Sequence, residues 1–155
     1  MVMPSAMKHL IQGSLVATLF VWLGAVKAGE PDPKIMSYKL PDKIPWTARP
    51  GGNEVYIISG DPSKPGMYVE LLKWTPHHFS RPHYHPNDRF VVVVKGTWWV
   101  GWGPKYDEST TYPLKPGSTA THYAKQIHWD GAKDEEAIIE IVGMGPETSV
   151  NAEQK

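Results

Sequence analysis

His83 and His85 are separated by one residue in a stretch punctuated by Pro82 and Pro86. In extended chain, side chains alternate with period two, so both imidazoles project to the same side. Neutral imidazole is the commonest side-chain ligand for transition metals. A third histidine, His128, opens a later strand segment. Three imidazoles converging inside a barrel make a metal site with open coordination positions. Nitrogen-only ligation suits Fe, Ni, Cu, Co or Zn better than Mg or Ca. His122 lies six residues before His128 and could face the same cavity as a ligand or an acid–base group. Tyr84 points away from the ligands and is expected to pack. His77 and His78 follow Pro76 and read as a solvated turn.

The elements that must position these residues begin after a leader. Lys8 and His9 give a short basic start, Leu10 to Val26 is almost free of charge, and Val26-Lys27-Ala28 offers small residues where a signal peptidase reads. Residues 1–28 are therefore expected to be a secretory signal, with Met7 as the expected true start and a periplasmic or secreted product. After cleavage no membrane span is expected. The whole chain has 16 basic and 16 acidic residues. Two of the basic residues, Lys8 and Lys27, fall in the leader, so the mature chain has 14 basic and 16 acidic and a formal charge of −2. It shows no basic block, which argues against nucleic acid as a partner. The absence of cysteine removes disulfides, thiolate ligands and thiol catalysis.

Residues 29–50 are rich in Pro and Lys and read as an extended arm, with room for one strand, that wraps the barrel or a partner subunit, which leaves a homodimer open. Strands are expected at 55–58, 67–74, 90–94, 97–102, 112–114, 118–123 and 136–142, separated by Pro and Gly turns. The run 90–94 reads as buried on both faces, and with 97–102 as a hairpin turned at Gly96. No segment holds a 3.6-residue apolar period. Short strands at this spacing point to an all-β sandwich or barrel over residues 51–147, followed by a polar tail at 148–155. Seven tryptophans, one of them in the leader, imply a large aromatic filling. Alternation lets only one of Trp98 and Trp99 face the cavity; Trp98, Trp99, Trp102 and Trp129 read first as packing, and Trp98 is the candidate to touch a ligand.

The histidine segment resembles the first motif of the cupins, Gly-x5-His-x-His-x3/4-Glu-x6-Gly, at His83, His85 and Gly96, with His77 in place of the leading Gly and Arg89 in place of the Glu. The second motif, Gly-x5-Pro-x-Gly-x2-His-x3-Asn, is similar at Gly117 and His128, while Tyr123, Lys125 and Ala132 replace its other members. His85-Pro86-Asn87-Asp88, the stretch 96–107 and the closing 141–146 resemble a subgroup of exported bacterial single-domain cupins. The resemblance implies a double-stranded β-helix, a jelly-roll barrel, with His83, His85 and His128 as metal ligands.

Arg89 is the departure that limits the chemistry. A guanidinium about 5 Å from a divalent ion would cost about 6 kcal/mol at an effective dielectric of 20. Its side chain is therefore expected to turn aside, toward Asp88 or an acid of a neighbouring strand, or to grip the carboxylate of an anionic ligand. Asp88 could replace the lost carboxylate only through a bulge. Three function classes stay open. One is a metal enzyme on a small organic molecule, of the three-histidine dioxygenase or related oxidoreductase type. The second is a non-catalytic periplasmic binding protein for an anionic small molecule, with Arg89 as anchor. The third is a structural protein with a vestigial site.

Overall fold

The structure, a computed structural model, describes residues 29–154; the leader read over residues 1–28 lies outside them. The described residues 29–38 belong to a unit separate from the rest. In it a turn is closed by the Ile35 and Met36 N–H groups donating to the Asp32 carbonyl. From Lys39 onward the chain is a β structure in two antiparallel sheets, with no helix long and apolar enough to cross a membrane among the described residues.

The strands, in chain order, are β1 (Thr47–Arg49), β2 (Asn53–Ser59), β3 (Gly66–Trp74), β4 (His78–Phe79), β5 (His83–Tyr84), β6 (Arg89–Lys95), β7 (Trp98–Trp102), β8 (Tyr112–Leu114), β9 (Thr119–His122), β10 (His128–Ala132), β11 (Ala137–Gly145) and β12 (Val150–Asn151). One sheet runs β1-β2-β3-β11-β6-β9; the other runs β12-β5-β10-β7-β8, with β4 also on β10. Two sheets whose inner faces share one core make a jelly roll.

Alternation explains the inner face. On β3, Tyr68, Glu70, Leu72 and Trp74 point inward; on β6, Arg89, Val91 and Val93; on β11, Ala137, Ile139 and Ile141. The register lines them into rows. Val93, Ile139, Leu72 and Val55 form an apolar row across four strands, and Val91, Ile141 and Glu70 form the next. The row beyond these is His122, Arg89, Gly143 and Tyr68. The filling thus changes from hydrocarbon to ionisable side chains along the strands, and that change locates the site. Gly143 is what lets the last row close: a Cβ there would lie 2.7 Å from the Tyr68 hydroxyl oxygen.

Two expectations about β6 are corrected. Its outward residues Phe90, Val92 and Val94 are exposed, so the strand is buried on one face only. A β-branched run reads as doubly buried from composition alone, but here the second face has no covering layer among the described residues. Nor do β6 and β7 form a hairpin: β6 pairs with β9 and β11, β7 with β8 and β10. Gly96, at φ +68° with its α-carbon packed against the Glu136 carbonyl, carries the chain from one sheet to the other.

Candidate metal centre

His128 on β10 is the register partner of His83 on β5, and His85 follows two residues after His83 on the same side. The nitrogen atoms these three offer lie within 4.8 Å of one another, and all three side chains are buried. The ring centroids stand 4.6 to 5.3 Å apart.

The hydrogen bonds behind the rings fix what the rings present. His83 Nδ1 lies 2.7 Å from the Arg81 carbonyl, His85 Nδ1 2.9 Å from the Thr148 carbonyl, and His128 Nδ1 3.0 Å from the Gln126 carbonyl. A carbonyl only accepts, so each Nδ1 carries the proton and each Nε2 is a bare lone pair. Yet His83 Nε2 and His85 Nε2 are 3.1 Å apart, and His128 Nε2 is buried without a partner among the described residues. Two lone pairs facing at that distance repel unless a cation lies between them. A proton on His83 is disfavoured, because burial holds its pKa below the ordinary value, and burial pulls that of the third ring, His128, down to about 4. A metal ion fits this pair: ligand nitrogens about 2.0–2.1 Å from one ion are separated by about 3.0–3.4 Å. The carbonyl-bound Nδ1–H is also the usual outer support of a metal-bound histidine.

Three carboxylates that sequence reasoning did not single out complete the interior. Asp130, two residues past His128 and so on the same face, accepts from Trp98 Nε1 at 2.8 Å and from Ser80 Oγ at 3.0 Å. Burial alone would raise its pKa, but His122, His128, His83 and Arg89 around it bring it below the ordinary value. It is an ionised carboxylate in the barrel and favours a cation among the histidines. Glu147 lies 3.1 Å from His85 Nδ1, and its pKa is lowered by that hydrogen bond and by Arg89. Glu70 on β3 is 1% exposed and held by Arg49 Nη2 at 3.3 Å; burial raises its pKa.

Arg89 is buried. It donates from Nη1 to Glu147 at 3.2 Å and from Nη2 to His122 Nδ1 at 3.1 Å. The acid it meets is thus Glu147; Asp88 instead accepts from the Ala124 backbone N–H and stands outside the site. Because guanidinium only donates, His122 Nδ1 accepts, which leaves the His122 proton on Nε2. The pKa of His122 is held well below its ordinary value, first by burial and then by His128. Its ring stacks on His128 at 3.7 Å, with Trp98 at 5.5 Å on another side.

Two cavities border the triad. The larger, about 450 Å³, is lined by His83, His85, Arg89, Asp130 and Glu147 and extends to Arg49, Glu70 and Trp74. The smaller, about 240 Å³, is lined by His128, His122, Trp98, Trp102 and Tyr123 among others. Trp98 is the inward member of its pair, while Lys133 covers Trp99. His78 is exposed and bonded near Pro76, and His77 is exposed. The segment read as a polar tail reaches the site: Thr148 supplies a carbonyl to His85, and β12 pairs with β5.

No protein-family model matches this chain, and no curated protein sequence does. Solved structures do. The polyketide cyclase RemF from Streptomyces resistomycificus superposes with a TM-score of 0.63 at 14% identity, covering 77% of this chain and 87% of its own. A cupin-2 domain from Rhodospirillum rubrum gives 0.56 at 13% identity, over 73% and 76%. A sugar phosphate isomerase from the cupin superfamily of Silicibacter pomeroyi gives 0.54 at 21% identity, over 70% and 75%.

Proposed function

From the premise that this chain is a cupin in its fold, we propose that it is an exported, metal-dependent enzyme acting on a small, oxygen-bearing organic molecule. One observation carries the reading: three buried imidazoles, each with Nδ1 bound to a backbone carbonyl, turn bare Nε2 atoms toward one point. His83, His85 and His128 would hold one divalent transition metal, Fe, Ni, Cu, Co or Zn. Such an ion supplies a Lewis acid with open positions for substrate oxygens and, where it is redox-active, for dioxygen.

The chain's own residues do the rest. The carbonyls of Arg81, Gln126 and Thr148 keep the ligand rings in the metal-binding tautomer. Asp130, ionised and held by Trp98 and Ser80, is the group able to take a proton from a substrate hydroxyl or from a carbon beside a carbonyl. His122 offers Nε2–H as a donor, its tautomer fixed by Arg89. Trp98, Trp102 and Tyr123 wall the smaller pocket, which suits the apolar part of an enol, diketone or phenolic compound. The competing reading, an anionic ligand anchored by Arg89, meets a guanidinium whose Nη groups already hold Glu147 and His122.

Tag-free protein loaded in turn with Fe(II), Ni(II) and Zn(II), and offered catechols, 1,3-diketones and enols, tests the proposal. Oxygen uptake that depends on His128 supports the dioxygenase type. Turnover with Zn(II) and no oxygen uptake assigns the site to proton transfer. Bound metal without turnover on any of them favours the binding-protein reading. Export is proposed from the leader alone; an exported protein that starts near Gly29 agrees with it, and one retaining residue 1 or 7 contradicts it.

A further inference from the structure

The larger cavity has a wall on the other sheet from the three histidines. β1, β2 and β3 contribute Arg49, Asn53, Glu70, Leu72 and Trp74 to its lining. Trp74 is 2% exposed, and its indole N–H is buried with no partner among the described residues. Asn53 Oδ1 is likewise buried and unpartnered. The two residues are register partners across β2 and β3, so their side chains stand side by side on one face. An orphaned donor and an orphaned acceptor, placed together on a cavity wall, each lack a hydrogen bond that folding should have supplied. Glu70, on the same inward row of β3, adds a carboxyl group held by Arg49.

The charges decide what would satisfy these groups. The three arginines lining the cavity are each matched by a carboxylate: Arg49 by Glu70, Arg81 by Glu153 and Arg89 by Glu147. Each of these pairs is neutral, so an anionic segment would meet no uncompensated positive charge there, and Arg89 Nε is left as one further buried donor without a partner among the described residues. A hydroxyl both donates and accepts, so a row of hydroxyls meets the Trp74 N–H, the Asn53 amide and the Glu70 carboxyl without adding charge. We infer that Asn53, Glu70 and Trp74 form a second subsite that binds a neutral polyhydroxylated segment, a polyol or sugar-like chain, of the ligand. The inference rests on the metal-centre reading for the ligand's other end. The cavity, about 450 Å³, falls in the range of small-molecule sites, about 300–1,000 Å³.

Isothermal titration of the Zn(II)-loaded mature protein uses xylitol as the neutral probe, glucarate as an anionic one and catechol as an aromatic one. Xylitol is expected to bind, and more tightly than glucarate. Trp74→Phe, which removes the N–H and keeps an aromatic ring, should weaken xylitol about fivefold to tenfold and leave catechol unchanged. Asn53→Ala, at a half-buried position, is the second variant should Trp74→Phe fold poorly, and the same loss is expected. Xylitol affinity equal to wild type in the folded variants, no xylitol binding to the wild type, or glucarate binding tighter than xylitol overturns the subsite. Zinc content is measured on each sample. Zinc-free protein whose xylitol affinity still depends on Trp74 keeps the subsite and removes the metal centre; zinc-loaded protein indifferent to Trp74 does the reverse.

Discussion

Arg89 stands on β6 with one Nη on Glu147 and the other on His122, so its charge is neutralised inside the site. The repulsion of about 6 kcal/mol that a lone guanidinium would exert on a metal ion is thereby opposed by a carboxylate that also touches His85. Removing one member of such a buried pair exposes the other. Arg89→Met is expected to cost about 3 kcal/mol, and Glu147→Gln a similar amount. The double variant should cost clearly less than the sum, because no unpaired buried charge remains. Urea denaturation of the four proteins measures this, and an additive double variant would contradict the pairing. Asp130 carries a different expectation. Asp130→Asn keeps the shape and loses the charge, so it should leave metal binding weakened and, if the carboxylate is the proton acceptor, reduce kcat far more than it changes KM.

At the scale of elements, one close approach is where β3, β11 and β6 bring Tyr68, Gly143 and Arg89 into one row. Gly143→Ala places a methyl 2.7 Å from the Tyr68 oxygen and is expected to cost about 1–3 kcal/mol as overpacking. Tyr68→Phe should relieve part of that cost, since the hydroxyl oxygen is the nearest atom. Thermal denaturation in both Tyr68 backgrounds checks the relief; an undiminished cost in the Phe background would put the clash elsewhere. Most strands were legible because their alternation is local: Tyr68, Glu70, Leu72 and Trp74 announce an inner face by spacing two. Pairing was less so. Gly96 reads as a hairpin turn, and only the sheet partners of β6 and β7 reveal a crossing between sheets. The exposure of Phe90, Val92 and Val94 also depends on what lies outside the sheet, which strand composition does not encode.

The same distinction holds within the site. His83 and His85 follow from period two, and Asp130 could have been found by applying that rule from His128. Glu147 had no such signal. It reaches His85 and Arg89 because the chain beyond β11 folds back across the barrel, where the Glu147 N–H meets the Pro62 carbonyl.

For the whole molecule, the interior of neutral histidines sets the response to acid. A histidine whose folded pKa is depressed binds fewer protons than in the unfolded chain, so its full contribution is present above about pH 6.5 and is lost as pH falls toward the folded value. With His128 near 4, the metal-free protein should lose about 3 kcal/mol between pH 6.5 and 4 from this residue alone. His83 and His122 shift in the same direction. Stability followed by urea denaturation across that window checks the sign, and a flat profile would mean the rings are not held neutral.

Metal stoichiometry decides whether the three bare imidazole nitrogens that the fold brings together hold an ion. Mature protein without a histidine tag, loaded with Zn(II), Fe(II) or Ni(II) and freed of excess, is analysed beside His83→Ala, His85→Ala and His128→Ala. About one ion per chain is expected in the wild type and a loss of binding in each variant, with the proteins still folded. Wild-type protein near zero metal, or variants that bind as well as wild type, would contradict a metal site at these three residues.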